Sequence, residues 1–170
     1  MIKTSRLLLI ILALSINASM LAQNKPLPND TIYADTDMPA MSTKVSMEID
    51  RKLFPKLQGG IFISENPRAI IMPMVLRADF DSLQYESLLD ATAKELNIIV
   101  NKQGILNKKG KKVYYISGKT NEKERNVIVE VYYVKADKFR TIMITGFYDL
   151  SVKNKYKKVI KRAAFSASLE

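Results

Sequence analysis

The stretch VIVEVYYVKADKFRTIMITGF, residues 127–147, consists of two apolar runs joined by a short polar loop. Side chains alternate between the two faces of a β-strand, so each face can be considered separately. In the first run both faces are apolar apart from Glu130: one carries Val127, Val129, Val131 and Tyr133, and the other carries Ile128, Tyr132 and Val134. Because a strand that is apolar on both faces is covered on both sides, this run predicts a central strand.

The same alternation continues upstream and defines a set of four strands. Apolar residues at period two occupy residues 98–100 with 105–106, then 113–116, 127–134 and 139–147. The segments between them are short and polar, at residues 107–110, 119–124 and 136–138. Apolar runs joined by short polar loops predict a four-strand antiparallel meander.

A predicted hairpin precedes the meander. Residues 61–64 and 69–76 are apolar runs, and the polar residues 65–68 between them are typical of a turn. Pro73 has no N–H to donate, so the second strand is either bulged there or has its Pro73 side facing an open edge. Before the hairpin the pattern is mixed: Val45, Met47 and Ile49 alternate as in a short strand, and Gly59-Gly60 then interrupt the chain.

Two amphipathic helices complete the pattern. Asp81 and Ser82 offer N-cap oxygens for the first, whose apolar stripe is Tyr85, Leu88, Leu89, Ala93 and Leu96. Asp149 or Ser151 caps the second, whose stripe is Val152, Tyr156, Val159, Ile160 and Ala163. Hairpin, helix, meander and helix together predict an α+β fold, an antiparallel sheet with both helices packed against it. The predicted domain spans residues 45–170, preceded by a flexible segment over residues 23–44 with three prolines.

The N-terminus has the pattern of an export signal. Lys3 and Arg6 precede an uncharged apolar run over residues 7–16, and Ala22 suits cleavage. Ten helical residues cover about 15 Å of a hydrocarbon core of about 30 Å, so a signal peptide over residues 1–22 is favoured over an uncleaved membrane anchor. No Cys follows to accept a lipid. We therefore expect an exported, periplasmic or extracellular protein that does not span the membrane after processing.

Composition excludes several classes of chemistry. The chain has no His and no Cys, which removes His-based triads, thiolate nucleophiles and His- or Cys-ligated metals. Asp79 and Asp81 are better explained by helix capping than by a cation site. Glu130 is expected to be partly buried and to form a salt bridge with a neighbouring-strand Lys or Arg. No catalytic residue, metal or cofactor is therefore predicted, and the chain is expected not to be an enzyme.

Positive charge is concentrated in residues 101–170, which contain 17 basic and 6 acidic residues. Two clusters dominate it, one at a hairpin and one on the last helix: Lys108, Lys109, Lys111 and Lys112, then Lys153, Lys157, Lys158, Lys161 and Arg162. These residues are the predicted contact surface for a protein or an anionic envelope component, and nucleic acid is not expected in an exported protein. A solvated face that only keeps the protein soluble is the alternative, since lysine rather than arginine dominates.

Several stretches resemble the PsbP-like fold. They are Ala69-Ile70-Ile71-Met72 leading into a helix, the KKVYYISG sequence at residues 111–118, the TIMITGFY sequence at residues 141–148, and the last helix running into Ala164-Phe165-Ser166-Ala167-Ser168. That family includes the extrinsic PsbP subunit of the oxygen-evolving complex, a Ran-binding nuclear import factor and small exported bacterial proteins. At the front, only Phe54-Pro55 and Gly59-Gly60 approximate the Pro-rich opening strand of the relatives.

The resemblance implies a non-enzymatic accessory or binding domain, with no catalytic motif to carry over. The leading hypothesis is therefore an exported binding domain that uses its basic surface. A small-ligand carrier with a pocket between sheet and helix is the alternative, and a hydrolase working through carboxylates is disfavoured by the lack of suitable pairs.

Overall fold

β7 (Val127–Lys135) lies inside the sheet and is almost entirely buried. A computed structural model describes residues 44–65, 69–108, 110–120 and 126–170. In these residues the other elements are β1 (Val45–Ser46), β2 (Lys56–Gln58), β3 (Ile61–Ile63), β4 (Ala69–Leu76), α1 (Tyr85–Glu95), β5 (Ile98–Lys108), β6 (Lys111–Thr120), β8 (Thr141–Asp149), α2 (Lys153–Ser166) and β9 (Ser168–Leu169). Short 3-10 turns, Phe80–Ser82 and Leu150–Val152, lie just before the two helices.

The strands form one large sheet and one small one in the part of the chain described. The large sheet has the order β2-β3-β4-β8-β7-β6-β5, and every neighbouring pair is antiparallel. β1 and β9 pair separately, with Val45 opposite Leu169. The predicted meander is thus present as β5 to β8, and the free side of β8 pairs with the earlier strand β4.

The two helices cover opposite faces of this sheet. Ile128, Tyr132 and Val134 belong to the cluster under α2, whereas Val129, Val131 and Tyr133 belong to the cluster under α1. On the α1 side, the hydroxyl groups of Thr92 and Tyr133 share a hydrogen bond of 2.6 Å. The predicted α+β class and the central, doubly covered position of β7 are therefore confirmed.

α2 packs closely onto β8 at a glycine. A Cβ placed on Gly146 would lie 2.6 Å from Cγ2 and 2.8 Å from Cδ1 of Ile160. Real Cβ atoms do not approach other atoms that closely, so the helix can lie at this depth because residue 146 has no side chain. The interface between α2 and the sheet is filled at this point, which counts against a carrier pocket there.

The region before β4 differs from the prediction. Gly59 and Gly60 do not simply interrupt the chain: with φ of +56° and +79° they form the two-residue turn that joins β2 to β3. Such turns require positive φ at both central residues, which glycine adopts without strain. Of the predicted strand through Val45, Met47 and Ile49, only Val45–Ser46 is extended into a pair, and its partner β9 was not predicted.

Element boundaries also differ in places. Phe139 was placed in the last strand, but β8 begins at Thr141 and Phe139 is exposed in the preceding loop. The register between β4 and β8 passes through Pro73 without a bulge, while β3 pairs only with Ile70 and Ile71. Pro73 therefore lies beside an open edge, the second of the two predicted arrangements.

The acidic caps begin the 3-10 turns rather than the α-helices. The carboxylate of Asp79 accepts from the N–H of Asp81, and that of Asp149 accepts from the N–H of Ser151. α1 begins after Gln84 without a side-chain cap, so Asp81 and Ser82 do not cap it. The predicted signal peptide, residues 1–22, and residues 23–43 of the predicted flexible segment lie outside the described residues.

Gly146→Ala should test the close approach of α2 to β8. The added methyl must displace Ile160, so the free energy of unfolding should fall by about 1–3 kcal/mol in chemical denaturation. Ile160→Ala alone should cost about 2–5 kcal/mol. In the double variant the loss should be clearly smaller than the sum, because removing the Ile160 side chain makes room for the methyl. Additive losses would contradict this packing.

Candidate functional site

The tip of the β5–β6 hairpin is fixed to the end of α2 by Lys111. Its ammonium group donates to the backbone carbonyls of Phe165 at 3.0 Å and Ala167 at 2.9 Å. The last carbonyls of a helix have no partner within the helix and carry partial negative charge. A lysine there donates hydrogen bonds to these carbonyls and offsets their charge. Burial lowers the pKa of Lys111. The ammonium of this predicted surface residue is thus engaged within the fold.

Phe165 brings the two predicted basic clusters together. The Nζ of Lys108, from the hairpin, lies 5.7 Å from the centre of the Phe165 ring, and the Nζ of Lys161, from α2, lies 5.9 Å from it. Both distances are within the range of cation–π contact. Residues more than fifty positions apart in sequence therefore form one patch, and Phe165 is a component that the charge pattern alone did not identify.

The exposed face of α2 extends this patch. Lys153, Lys157, Lys158, Lys161 and Arg162 are all exposed. Lys153 lies in the first turn of α2, which contains no acidic residue, so the positive end of the helix dipole adds to its potential. We call the patch formed by Lys108, Lys157, Lys158, Lys161 and Phe165 the helix–hairpin surface.

Among the residues described, two acidic residues pair with cations of α2. The Nε of Arg162 lies 3.3 Å from Oε1 of Glu48, so this predicted site residue is paired at the edge of the patch. The Nζ of Lys157 lies 3.9 Å from Oε1 of Glu130. In the Arg162–Glu48 pair both side chains are at least half exposed, and such a pair contributes little stability.

Lys112 lies on the other side of the hairpin. Its Nζ is 5.1 Å from the centre of the Tyr114 ring, and Tyr114 belongs to the cluster under α1. There it helps to line a surface cavity of about 450 Å³ together with Phe80, Asp81, Gly110, Lys111, Lys135 and Ala136. Lys135 is ion-paired with Asp81. The structure thus separates Lys112 from the helix–hairpin surface, and Lys109 lies outside the described residues.

Glu130 is a buried carboxylate beneath α2, with only 1% of its surface exposed. It accepts a hydrogen bond of 2.9 Å from the hydroxyl of Tyr132 and one of 3.4 Å from the hydroxyl of Ser117. The expected salt bridge to a neighbouring strand was wrong in its partner, because Lys157 of α2 supplies the cation. A helix that packs over the sheet brings its own lysine to the carboxylate, and sequence spacing does not show this.

The pKa values of two tyrosines near Glu130 are raised. Burial, followed by the nearby charge of Glu130, raises the pKa of Tyr132 and of Tyr148. On the opposite face, burial raises the pKa of Tyr133 to about 12. The tyrosines therefore stay protonated, and the Glu130 group is a closed internal network rather than a cleft that a substrate enters.

Two further observations concern metal binding and membrane-spanning helices. In the described ranges, no three carboxylates come together in a way that would hold a metal ion. No helix there combines the length and the apolar content needed to cross a membrane.

Comparison with known proteins shows similarity at the level of fold. No family model matches the chain, and no curated protein matches it. LpqN, described as involved in cell envelope biogenesis of Mycobacterium tuberculosis, has a TM-score of 0.50 and 8% identity, with 74% of this chain and 82% of LpqN covered. The solution structure of cyanobacterial PsbP from Synechocystis sp. PCC 6803 has a TM-score of 0.46 and 9% identity, with 85% of this chain and all of that chain covered.

At such identities the LpqN match shows the fold alone. A cyanobacterial PsbP structure is also among the proteins to which this chain is similar.

Lys111→Met should show that the ammonium group stabilises the end of α2. Methionine keeps the apolar stem but leaves the carbonyls of Phe165 and Ala167 without this donor, so the free energy of unfolding should fall by about 1–3 kcal/mol. Lys112→Met is the matched control and should cost no more than about 1 kcal/mol, the value of an exposed cation–π contact. Equal losses in the two variants would contradict the capping role.

Alkaline titration should reveal the buried tyrosines. A raised pKa in the folded state means that stability is present below the ordinary value of 10.0 and is lost as the pH rises beyond it. Tyrosinate absorbance should therefore show that Tyr132, Tyr133 and Tyr148 ionise above the ordinary value and together with loss of the circular dichroism signal. Titration of all eight tyrosines near pH 10 with the fold intact would contradict this.

Proposed function

We propose that this chain is an exported, non-enzymatic accessory domain that binds a protein or an anionic component of the cell envelope through the helix–hairpin surface. The observation that carries the proposal is the meeting of Lys108 and Lys161 at one aromatic ring. A face that serves only to keep a protein soluble needs no fixed relation between its charges. Here the hairpin and the helix are held together, which favours recognition over simple solvation.

Export is supported by the pattern of residues 1–22, with Lys3 and Arg6 before an apolar run of signal-peptide length. The fold similarity to LpqN, a protein described as involved in cell envelope biogenesis, is in keeping with an envelope role. Processing near Ala22 and a periplasmic or extracellular location belong to this proposal.

A non-enzymatic role is supported by the surroundings of the buried acid. Glu130 is enclosed beneath α2 and is satisfied by Tyr132, Ser117 and Lys157. A general acid or base must come within hydrogen-bond reach of a substrate, which its burial prevents. Asp79 and Asp149 act as caps, and Asp81 is the ion-pair partner of Lys135.

The kind of ligand follows from the kind of cation. Lysine ammonium groups are point charges on flexible stems, whereas bidentate recognition of one planar anion favours arginine. A row of lysines on one helix face therefore suits a ligand with many negative charges, such as an anionic membrane surface or an acidic protein. We propose binding that is electrostatic, tolerant of ligand detail and sensitive to salt.

Salt and charge reversal test the proposed surface. Binding to the native envelope fraction, and to vesicles of phosphatidylglycerol with phosphatidylethanolamine, should weaken steeply as ionic strength rises, since screening acts over about 10 Å at 0.1 M and about 3 Å at 1 M. Lys108→Glu with Lys161→Glu should lower the affinity at low salt by at least about tenfold, because each lysine near an anionic surface contributes about 1 kcal/mol.

The control makes the same change of charge elsewhere. Lys56 lies on β2 at the far edge of the sheet, and Lys94 lies on α1 on the opposite face, and both are exposed. Lys56→Glu with Lys94→Glu should bind nearly as the unchanged protein does. Equal losses in the two double variants would point to net charge alone, and binding that ignores salt would refute the proposal.

A further inference from the structure

β5 is a long strand with one unpaired side. It spans eleven residues, Ile98–Lys108, and stands at the end of the sheet order. β6 pairs with one of its sides, and no described strand pairs with the other. The opposite edge is β2, which has only three residues. An unpaired strand edge presents N–H and C=O groups ready to pair with another chain.

The two faces of β5 differ in chemistry. Register with β6 places Lys102 opposite Ser117 and Lys108 opposite Lys111, on the face toward α2. Ile105 lies opposite Tyr114, on the face toward α1. Ile105 is 40% exposed, although it is a large apolar residue. The edge therefore carries lysines on the face toward α2 and an exposed apolar side chain, Ile105, on the face toward α1.

The positive charge of this edge favours an acidic partner. From Ile98 to Thr120 the sequence has six lysines and no carboxylate. Two copies of β5 placed side by side would bring lysines together with no acid in either strand to offset them, which disfavours pairing with a second copy. An acidic segment would place carboxylates beside Lys102 and Lys108 instead.

A register shift limits the part of β5 that can pair regularly. β5 has a bulge between Val100 and Lys102, and beyond it the register with β6 runs unbroken from Lys102 to Lys108. A bulge bends and twists a strand and so interrupts regular pairing along its free side. Seven residues remain, which is an ordinary strand length.

We propose that β5 between Lys102 and Lys108 binds an extended acidic segment of a partner protein as an additional strand of the sheet. The inference rests on the proposed role as a binding domain and names the partner class as protein. Backbone hydrogen bonds would supply affinity, and carboxylates on the α2-side face, with apolar residues on the other, would supply selectivity.

The probe is an eight-residue peptide that alternates glutamate and valine. It should bind the purified protein and slow hydrogen exchange of β5 amides between Lys102 and Lys108, measured by NMR. The same peptide N-methylated at its four central residues lacks the donors that strand pairing needs, and should bind at least about tenfold more weakly. A peptide that alternates lysine and valine should not bind.

Variants separate this edge from the helix–hairpin surface. Lys102→Glu and Ile105→Asp each lie on β5 outside that surface, and each should weaken peptide binding by about tenfold. Lys102→Glu places like charges opposite each other, and Ile105→Asp replaces an apolar cross-strand contact with a charge opposite valine. Leu57→Asp on the opposite edge strand β2 is the matched control, because Leu57 is 53% exposed. It should leave peptide binding unchanged.

Several results would overturn the inference. One is equal binding of the N-methylated peptide, and another is binding without slowed exchange in β5. Failure of the unmodified peptide to bind would also overturn it. So would the finding that the protein sediments as a dimer in which the β5 amides are already protected from hydrogen exchange. Each of these leaves the salt-dependent binding of the helix–hairpin surface untouched, so the two proposals fail separately.

Discussion

The contact of the Lys111 ammonium group with the carbonyls of Phe165 and Ala167 joins the β5–β6 hairpin to the end of α2. It satisfies the end of α2 and fixes the hairpin tip against it. Lys108 and Lys161 consequently lie near the same ring, and β9 is placed to pair with β1. Lys111, whose ammonium group is engaged within the fold, thus helps to position lysines that face outward.

Coverage of the sheet determines where binding can occur. α1 and α2 occupy opposite faces of the central strands, and α2 lies so close to β8 that a methyl group at residue 146 would have to displace Ile160. The buried carboxylate of Glu130 is used within this interface. The two surfaces proposed for binding are accordingly the outside of α2 and the edge at β5. Both are rich in lysine, which makes an acidic partner the common expectation for the two surfaces.

The long, regular elements were predictable from the sequence because they obey a clear period. Apolar residues on both faces of β7 predicted its central position, and the stripe through Tyr156 and Ile160 predicted α2. β1, β2 and β9 have two or three residues each, too few to show any period. The charge pattern identified both basic clusters, but their meeting at Phe165 and the inward role of Lys111 depend on tertiary packing between distant segments.

Lysine reactivity in the intact envelope is the most direct measure of which surface makes contact. Acetylation by acetic anhydride, read residue by residue with mass spectrometry, can be compared between the envelope and the purified protein. If the helix–hairpin surface binds, Lys108, Lys158 and Lys161 lose reactivity together in the envelope, while Lys56 and Lys94 keep theirs. Unchanged reactivity at all five, or protection of Lys56 and Lys94 alone, would contradict the proposed surface.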